Sequence, residues 1–276
     1  MGRRKRRSGR AGRAPAEAGT AFQPVGQWRF LMLPAVVAVA AAVLLGGLWL
    51  ADLITGSGPA GPSAVIVDQL SLTYPNPAFA EAATETLEEA GHRVEYFAGE
   101  QVTVDLYRSL PRRGYDLILL RAHSGRIRTE DLGGLTDDVT LFTGEPFVLG
   151  RYDDELRSRR LLRASYFGES VESYFGINAE FVRSSMEGRF DDTLVVMMGC
   201  DGLRSRSTAE AFLERGANAF VSWSDLVSAT HTDAATERLL EKLVVERLPA
   251  EEAVAETAAE VGPDPAYGAQ LRMLAN

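Results

Sequence analysis

Beyond an apolar stretch near the amino terminus, hydrophobic and polar positions alternate between two rhythms. Residues 64–68, Ala-Val-Ile-Val-Asp, form a short run rich in β-branched residues, which predicts a buried strand. A Tyr-Pro-Asn-Pro turn follows. Over residues 78–90, Phe79, Ala82, Ala83 and Leu87 fall on one helical face, and Gly91 is the stop. Residues 93–97 alternate as a second strand, and a short helix is expected around 104–110. Residues 115–122, Tyr-Asp-Leu-Ile-Leu-Leu-Arg-Ala, give the strongest strand so far, and its continuous apolar character predicts helices over both faces.

Residues 126–190 are less regular. There 139–143 and 146–149 read as a hairpin with Gly144 and Glu145 at its tip, and 151–175 is polar and rich in arginine. Order returns at 192–200 with a central strand. It is followed by a helix over 207–215 with Gly216 as its stop, and by a strand over 218–223. An amphipathic helix over 230–247 turns Leu239, Leu240, Leu243 and Val244 inward, and residues 249–260 form a last helix. Strands alternating with helices predict an α/β fold: a three-layer sandwich with a mainly parallel central sheet, one domain over 64–276.

The amino-terminal pattern is of another kind. Residues 30–51 are 22 uncharged, mostly apolar residues, enough at about 1.5 Å per residue to cross a hydrocarbon core of about 30 Å. A transmembrane helix is therefore expected within 30–54, with Trp28 and Trp49 near its ends. A cleaved signal peptide is the rival, although its apolar region normally spans about 7–15 residues. Residues 55–63, rich in glycine, proline and serine, form a linker.

Charge changes this picture by giving it a direction. Of the 29 Lys and Arg residues, eight lie in residues 1–29 beside one acid, so this tail is expected in the cytoplasm and the body outside a cell membrane crossed once. The formal net charge of −9 then resolves into a tail of +7 and a body, beyond Asp52, of about −15. An acidic body repels nucleic acid, so no nucleic-acid partner is expected. The single cysteine, Cys200, excludes an intrachain disulfide and a cysteine zinc cluster. Neither lysine, Lys5 or Lys242, stands in a phosphate-binding glycine loop, which argues against an NTPase. No cofactor or metal is implied.

In parallel sheets the functional crevice lies at the carboxyl ends of the strands. The strand ending at Ala122 delivers His123, Ser124 and Gly125; the strand ending at Met198 delivers Gly199 and Cys200. If these strands are neighbours, an imidazole and a thiol face each other. A thiol needs a base or cation to become a nucleophile, and glycines beside it let backbone N–H groups reach a carbonyl oxygen. Taken singly, a strand-end cysteine is a small buried hydrophobe and a loop histidine a surface or capping residue. Their shared edge favours chemistry. His92, between a helix and a strand, falls at the opposite end of the sheet. Residues 230–233, Thr-His-Thr-Asp, hold a further His/Asp pair, too few ligands for structural zinc. Asp233 reads as a helix-dipole residue and His231 as a rim residue of the crevice.

With Leu117-Ile-Leu-Leu-Arg-Ala-His123 and Leu194-Val-Val-Met-Met-Gly-Cys200, the chain resembles the caspase-like cysteine peptidase superfamily of caspases, gingipains, separases and CHAT domains. Residues 216–223, Gly-Ala-Asn-Ala-Phe-Val-Ser-Trp, are similar to the strand after the nucleophile in CHAT-type members, and the resemblance covers about 64–247. It implies a caspase-like fold and a cysteine endopeptidase acting on a peptide or protein, with His123 and Cys200 catalytic and Gly125 as an oxyanion donor. Ser124 departs from the pattern by standing between His123 and Gly125. The 77-residue interval between His123 and Cys200 is long, and the caspase Gln-Ala-Cys signature is absent. Asp225, Trp223 and His231 are the substrate-binding candidates. Asp225 would select Arg or Lys, or would serve simply as a helix cap. The alternative is an inactive relative serving as an envelope binding or scaffold module. The sequence does not fix the oligomeric state.

Overall fold

The computed structural model describes residues 61–129, 134–166 and 172–276. The expected basic tail, the membrane span and most of the linker lie outside these residues. Among the described residues, no helix is long and apolar enough to cross a membrane.

The body is an α/β fold on a mostly parallel six-stranded sheet, to which a second, four-stranded sheet is added. The strands of the first sheet are β1 (Ser63–Asp68), β2 (Arg93–Ala98), β3 (Leu117–Arg121), β8 (Leu194–Met197), β9 (Ala219–Trp223) and β10 (Leu271–Ala275). Their spatial order is β10-β9-β8-β3-β1-β2. Every pairing is parallel except β10 against β9. The second sheet, in the order β4-β5-β7-β6, is antiparallel and consists of β4 (Ser124–Thr129), β5 (Gly134–Pro146), β6 (Leu161–Ser165) and β7 (Ser173–Ile177). The helices are α1 (Pro77–Glu89), α2 (Val104–Ser109), α3 (Asp153–Arg157), α4 (Ala179–Ser184), α5 (Ser207–Glu214), α6 (Ala229–Leu240) and α7 (Ala250–Val261).

The central strands are mostly apolar because alternate residues enter different cores, as the period of two requires. Val65, Val67, Ile118, Leu120, Val195 and Met197 pack with Leu106, Phe181 and Phe212 of α2, α4 and α5. On the other face Ile66, Leu119, Val196 and Trp223 pack with Phe79, Leu87, Leu239 and Val254 of α1, α6 and α7. The second sheet joins the first of these cores through Leu141, Leu161, Phe175 and Ile177. Local signals set the helix entries. The Asn76 side chain accepts from the Phe79 N–H and Pro77 opens α1, while Asn178 accepts from the Phe181 N–H to start α4.

Two expectations are corrected. The hairpin over 139–149 does not form; residues 134–146 are one strand, β5. Gly144 is not a turn residue: its N–H donates to Val102 O at 2.7 Å, and a Cβ there would lie 1.9 Å from Gly99 O. Glu145, also expected at the tip, is buried, and its Oε2 accepts from the Val104 N–H at 3.0 Å at the start of α2. The helix expected over 230–247 is α-helical only to Leu240, and one wider turn over Glu241–Val245 ends it.

Candidate functional site

Strands β3 and β8 are adjacent and parallel, in register from Leu117 with Leu194 to Leu120 with Met197. The pairing runs past their ends, since the Met198 N–H donates to Leu120 O at 2.9 Å. Ala122 and Gly199 then pass so closely that a Cβ on Gly199 would lie 2.4 Å from Ala122 O and 2.2 Å from Ser124 Oγ. Only glycine fits there. The Ser124 hydroxyl donates to Cys200 O at 2.7 Å and ties the two strand exits together. His123 and Cys200 are thereby delivered to one edge, and both line a cavity of about 400 Å³. Leu70, Ala122, Met198 and Val227 also face it, with Tyr74 and Tyr267 at its exposed side.

The histidine is held on several sides. Its ring Nε2 lies 2.8 Å from Thr73 Oγ1, in a hydrogen bond whose direction follows the ring tautomer. Tyr166, Tyr74 and Phe142 surround the ring at centroid distances of 4.7, 5.7 and 5.9 Å. The His123 N–H donates to Gln69 Oε1, and the Gln69 amide donates to the Tyr166 hydroxyl. Burial, with the Arg121 charge adding to it, lowers the His123 pKa to about 4, so the imidazole is neutral at pH 7.

The thiol is neutral as well. Burial raises the Cys200 pKa, and the carboxylates of Asp201, Asp264 and Asp225 raise it further against a backbone hydrogen bond from Val227. Cys200 Sγ donates to Val227 O at 3.7 Å and accepts from the Val227 N–H at 3.5 Å. Asp201, directly after the cysteine, has φ of 61°, a left-handed conformation, and does not line the cavity.

Beneath the histidine lies a buried ionic network that the sequence reading missed. Arg121, only 1% exposed, donates twice to Asp233 at 2.7 and 2.8 Å, once to Asp68 at 2.7 Å, and to Tyr74 O at 2.9 Å. Asp68 also accepts from the Tyr96 hydroxyl and the Ser71 N–H, and Asp233 from Asn76. Desolvation works against the Arg121 charge, but its two carboxylates outweigh it and its pKa is raised. The network pins residues 71–76, the segment that brings Thr73 and Tyr74 to His123. An arginine inside an otherwise apolar strand was the visible signal, because a charge in such a strand needs partners. Asp233 therefore serves as the partner of Arg121, in place of the helix-dipole role expected of it.

The other candidates lie elsewhere. Gly125 sits in β4 opposite Thr140, outside the cavity lining. Trp223 is buried, with its indole N–H donating to Thr232 Oγ1 at 2.9 Å. His231 packs on the Trp223 ring at 5.1 Å, its Nε2 buried without a partner, and does not line the cavity. Asp225 pairs with Arg204 and accepts the Asp201 N–H on its backbone oxygen, so it braces the turn after Cys200. His92 stands at the start of β2, away from the site. Among the described residues, no group of three or more His, Cys, Asp or Glu is placed to hold a metal ion. No protein-family model matches the chain, and no curated protein matches it.

Proposed function

We propose that the chain is a caspase-like cysteine endopeptidase that uses His123 and Cys200, with its body carried outside the membrane by the span over 30–54. The observation that supports this is the delivery of both side chains by adjacent parallel strands to one edge, where they line the same 400 Å³ cavity. In the reaction, Cys200 Sγ bonds to the substrate carbonyl carbon as its proton passes to the neutral His123 ring. The C–N bond then breaks as that proton moves to the leaving amine. Water hydrolyses the resulting thioester and returns the thiol. A low histidine pKa suits the second transfer, since an imidazolium formed in this apolar setting is a strong acid. The Cys200 N–H is the candidate donor to the oxyanion, without Gly125.

The second reading, an inactive binding module, is favoured by a specific observation: Cys200 Sγ is engaged by Val227 and the His123 ring by Thr73. A peptide acyloxymethyl ketone decides between them. The peptidase reading requires covalent labelling that vanishes in Cys200→Ala and falls at least about tenfold in His123→Ala. Labelling that is absent, or indifferent to His123, overturns it.

A further inference from the structure

We propose that the cavity takes a large, uncharged, apolar side chain of the bound peptide. That this is the side chain preceding the cleaved bond rests on the peptidase reading; the preference itself rests on the lining. Among the described residues, His123 is the only titratable side chain facing the cavity besides Cys200 and the phenols of Tyr74 and Tyr267, and it is neutral at pH 7. Ala122, Met198 and Val227 are buried members of the lining, and Ser228, Thr230 and Thr232 add uncharged hydroxyls, of which that of Thr232 already accepts from the Trp223 indole N–H. At the exposed side, Tyr74 and Tyr267 are 56% and 54% exposed and extend the apolar surface outward.

None of the nearby carboxylates lines the cavity: Asp201 Oδ1 is buried 3.7 Å from Arg204 Nη1 without a hydrogen bond, and the others are committed to protein partners. Both Asp233 oxygens are taken by Arg121, one of them also by Asn76. Asp264 Oδ2 accepts the Ser228 N–H, and its Oδ1 accepts the Ala266 and Tyr267 N–H groups. Asp225, the sequence candidate for selecting Arg or Lys, is spent on Arg204 and the Leu226 N–H. An ammonium, guanidinium or carboxylate entering here would lose its hydration and find no charged side chain in the lining to pair with. A Leu, Met or Phe side chain loses only unfavourable hydration, and about 400 Å³ admits it.

The test is a series of otherwise identical fluorogenic peptides with Leu, Met, Phe, Asp, Lys or Arg before the cleaved bond. It is paired with binding of the same series to the full-length Cys200→Ala protein, read by fluorescence polarisation. The apolar members should exceed Asp, Lys and Arg by about 100-fold in kcat/KM and rank first in binding. Ala229→Asp, at the first residue of α6 where an acid suits the helix dipole, should raise the Arg-to-Leu ratio at least about tenfold. Cleavage or binding led by a charged residue overturns the proposal and leaves the peptidase reading standing. Binding led by apolar residues with no cleavage supports the proposal and removes the peptidase reading. Equal or undetectable binding across the series overturns the proposal whatever the cleavage shows.

Discussion

Replacing Arg121 with methionine tests whether the ionic network is what holds the histidine side of the site. Methionine fills much of the arginine's volume without its charge, so the principal loss is four polar contacts: three to Asp233 and Asp68, and one to Tyr74 O. Two carboxylates, 2% and 3% exposed, are then left without a counter-ion. Stranding one side of a buried ion pair costs about 3–5 kcal/mol. For a domain of this size each kcal/mol lowers Tm by roughly 2–4 °C, so the variant should melt roughly 6–20 °C lower. Asp233→Asn keeps shape and the Arg121 to Asp68 pair, and should cost less. Urea unfolding read by fluorescence gives both numbers. A loss under about 1 kcal/mol at pH 7 would refute the reasoning.

Three further outcomes are expected. Histidine NMR should show His123 unchanged from pH 8 to 5.5 and titrating near 4. Because the unfolded chain takes up that proton near 6.5 and the folded chain does not, stability should fall as pH drops from 6.5 to 4, by at most about 3 kcal/mol, and level off below; His123→Phe should flatten that slope. Iodoacetamide should alkylate Cys200 slowly at pH 7, with a rate that climbs only above the ordinary thiol range, and a fast reaction at pH 7 would contradict a buried neutral thiol. Gly199→Ala should destabilise by about 2 kcal/mol or more, because one of the two atoms met is backbone and no rotamer change relieves it, whereas Ser124→Ala should cost only about 1 kcal/mol by chemical denaturation.

The central sheet was legible because β1, β3, β8 and β9 are buried on both faces and read as mostly apolar runs. The second sheet was not, because its members owe their pairing to distant contacts. β5 runs through Gly144 and Glu145 only because Gly144 meets the backbone at Gly99 and Val102, and Glu145 caps α2. Nothing within seven residues announces that. The same distinction divides the site. His123 and Cys200 stand at ends of readable strands, so their shared edge could be inferred. Thr73, Gln69 and Tyr166 reach the histidine from segments about 40 to 54 residues away in the chain. Asp225 and Asp233 looked available as acids because a sequence shows a carboxylate but not the arginine that occupies it.

The neutral pair changes how the lone cysteine is understood. Oxidation and alkylation proceed through the thiolate, so a thiol held protonated by burial and three nearby carboxylates is chemically quiet. A histidine pKa of about 4 removes the ready base that would otherwise generate thiolate at rest. If the body lies outside the membrane as proposed, its unpaired cysteine is protected there by the same features that make it a poor resting nucleophile. Substrate would have to supply the missing driving force: a carbonyl held by the Cys200 N–H accepts the sulfur electrons as the proton leaves, so no free thiolate need form. Simple alkylating agents offer no such oxyanion. The peptidase and the binding module should therefore share slow alkylation at pH 7 and differ only toward electrophiles that carry a peptide carbonyl, which makes the ratio of the two labelling rates, rather than either rate alone, the quantity that separates them.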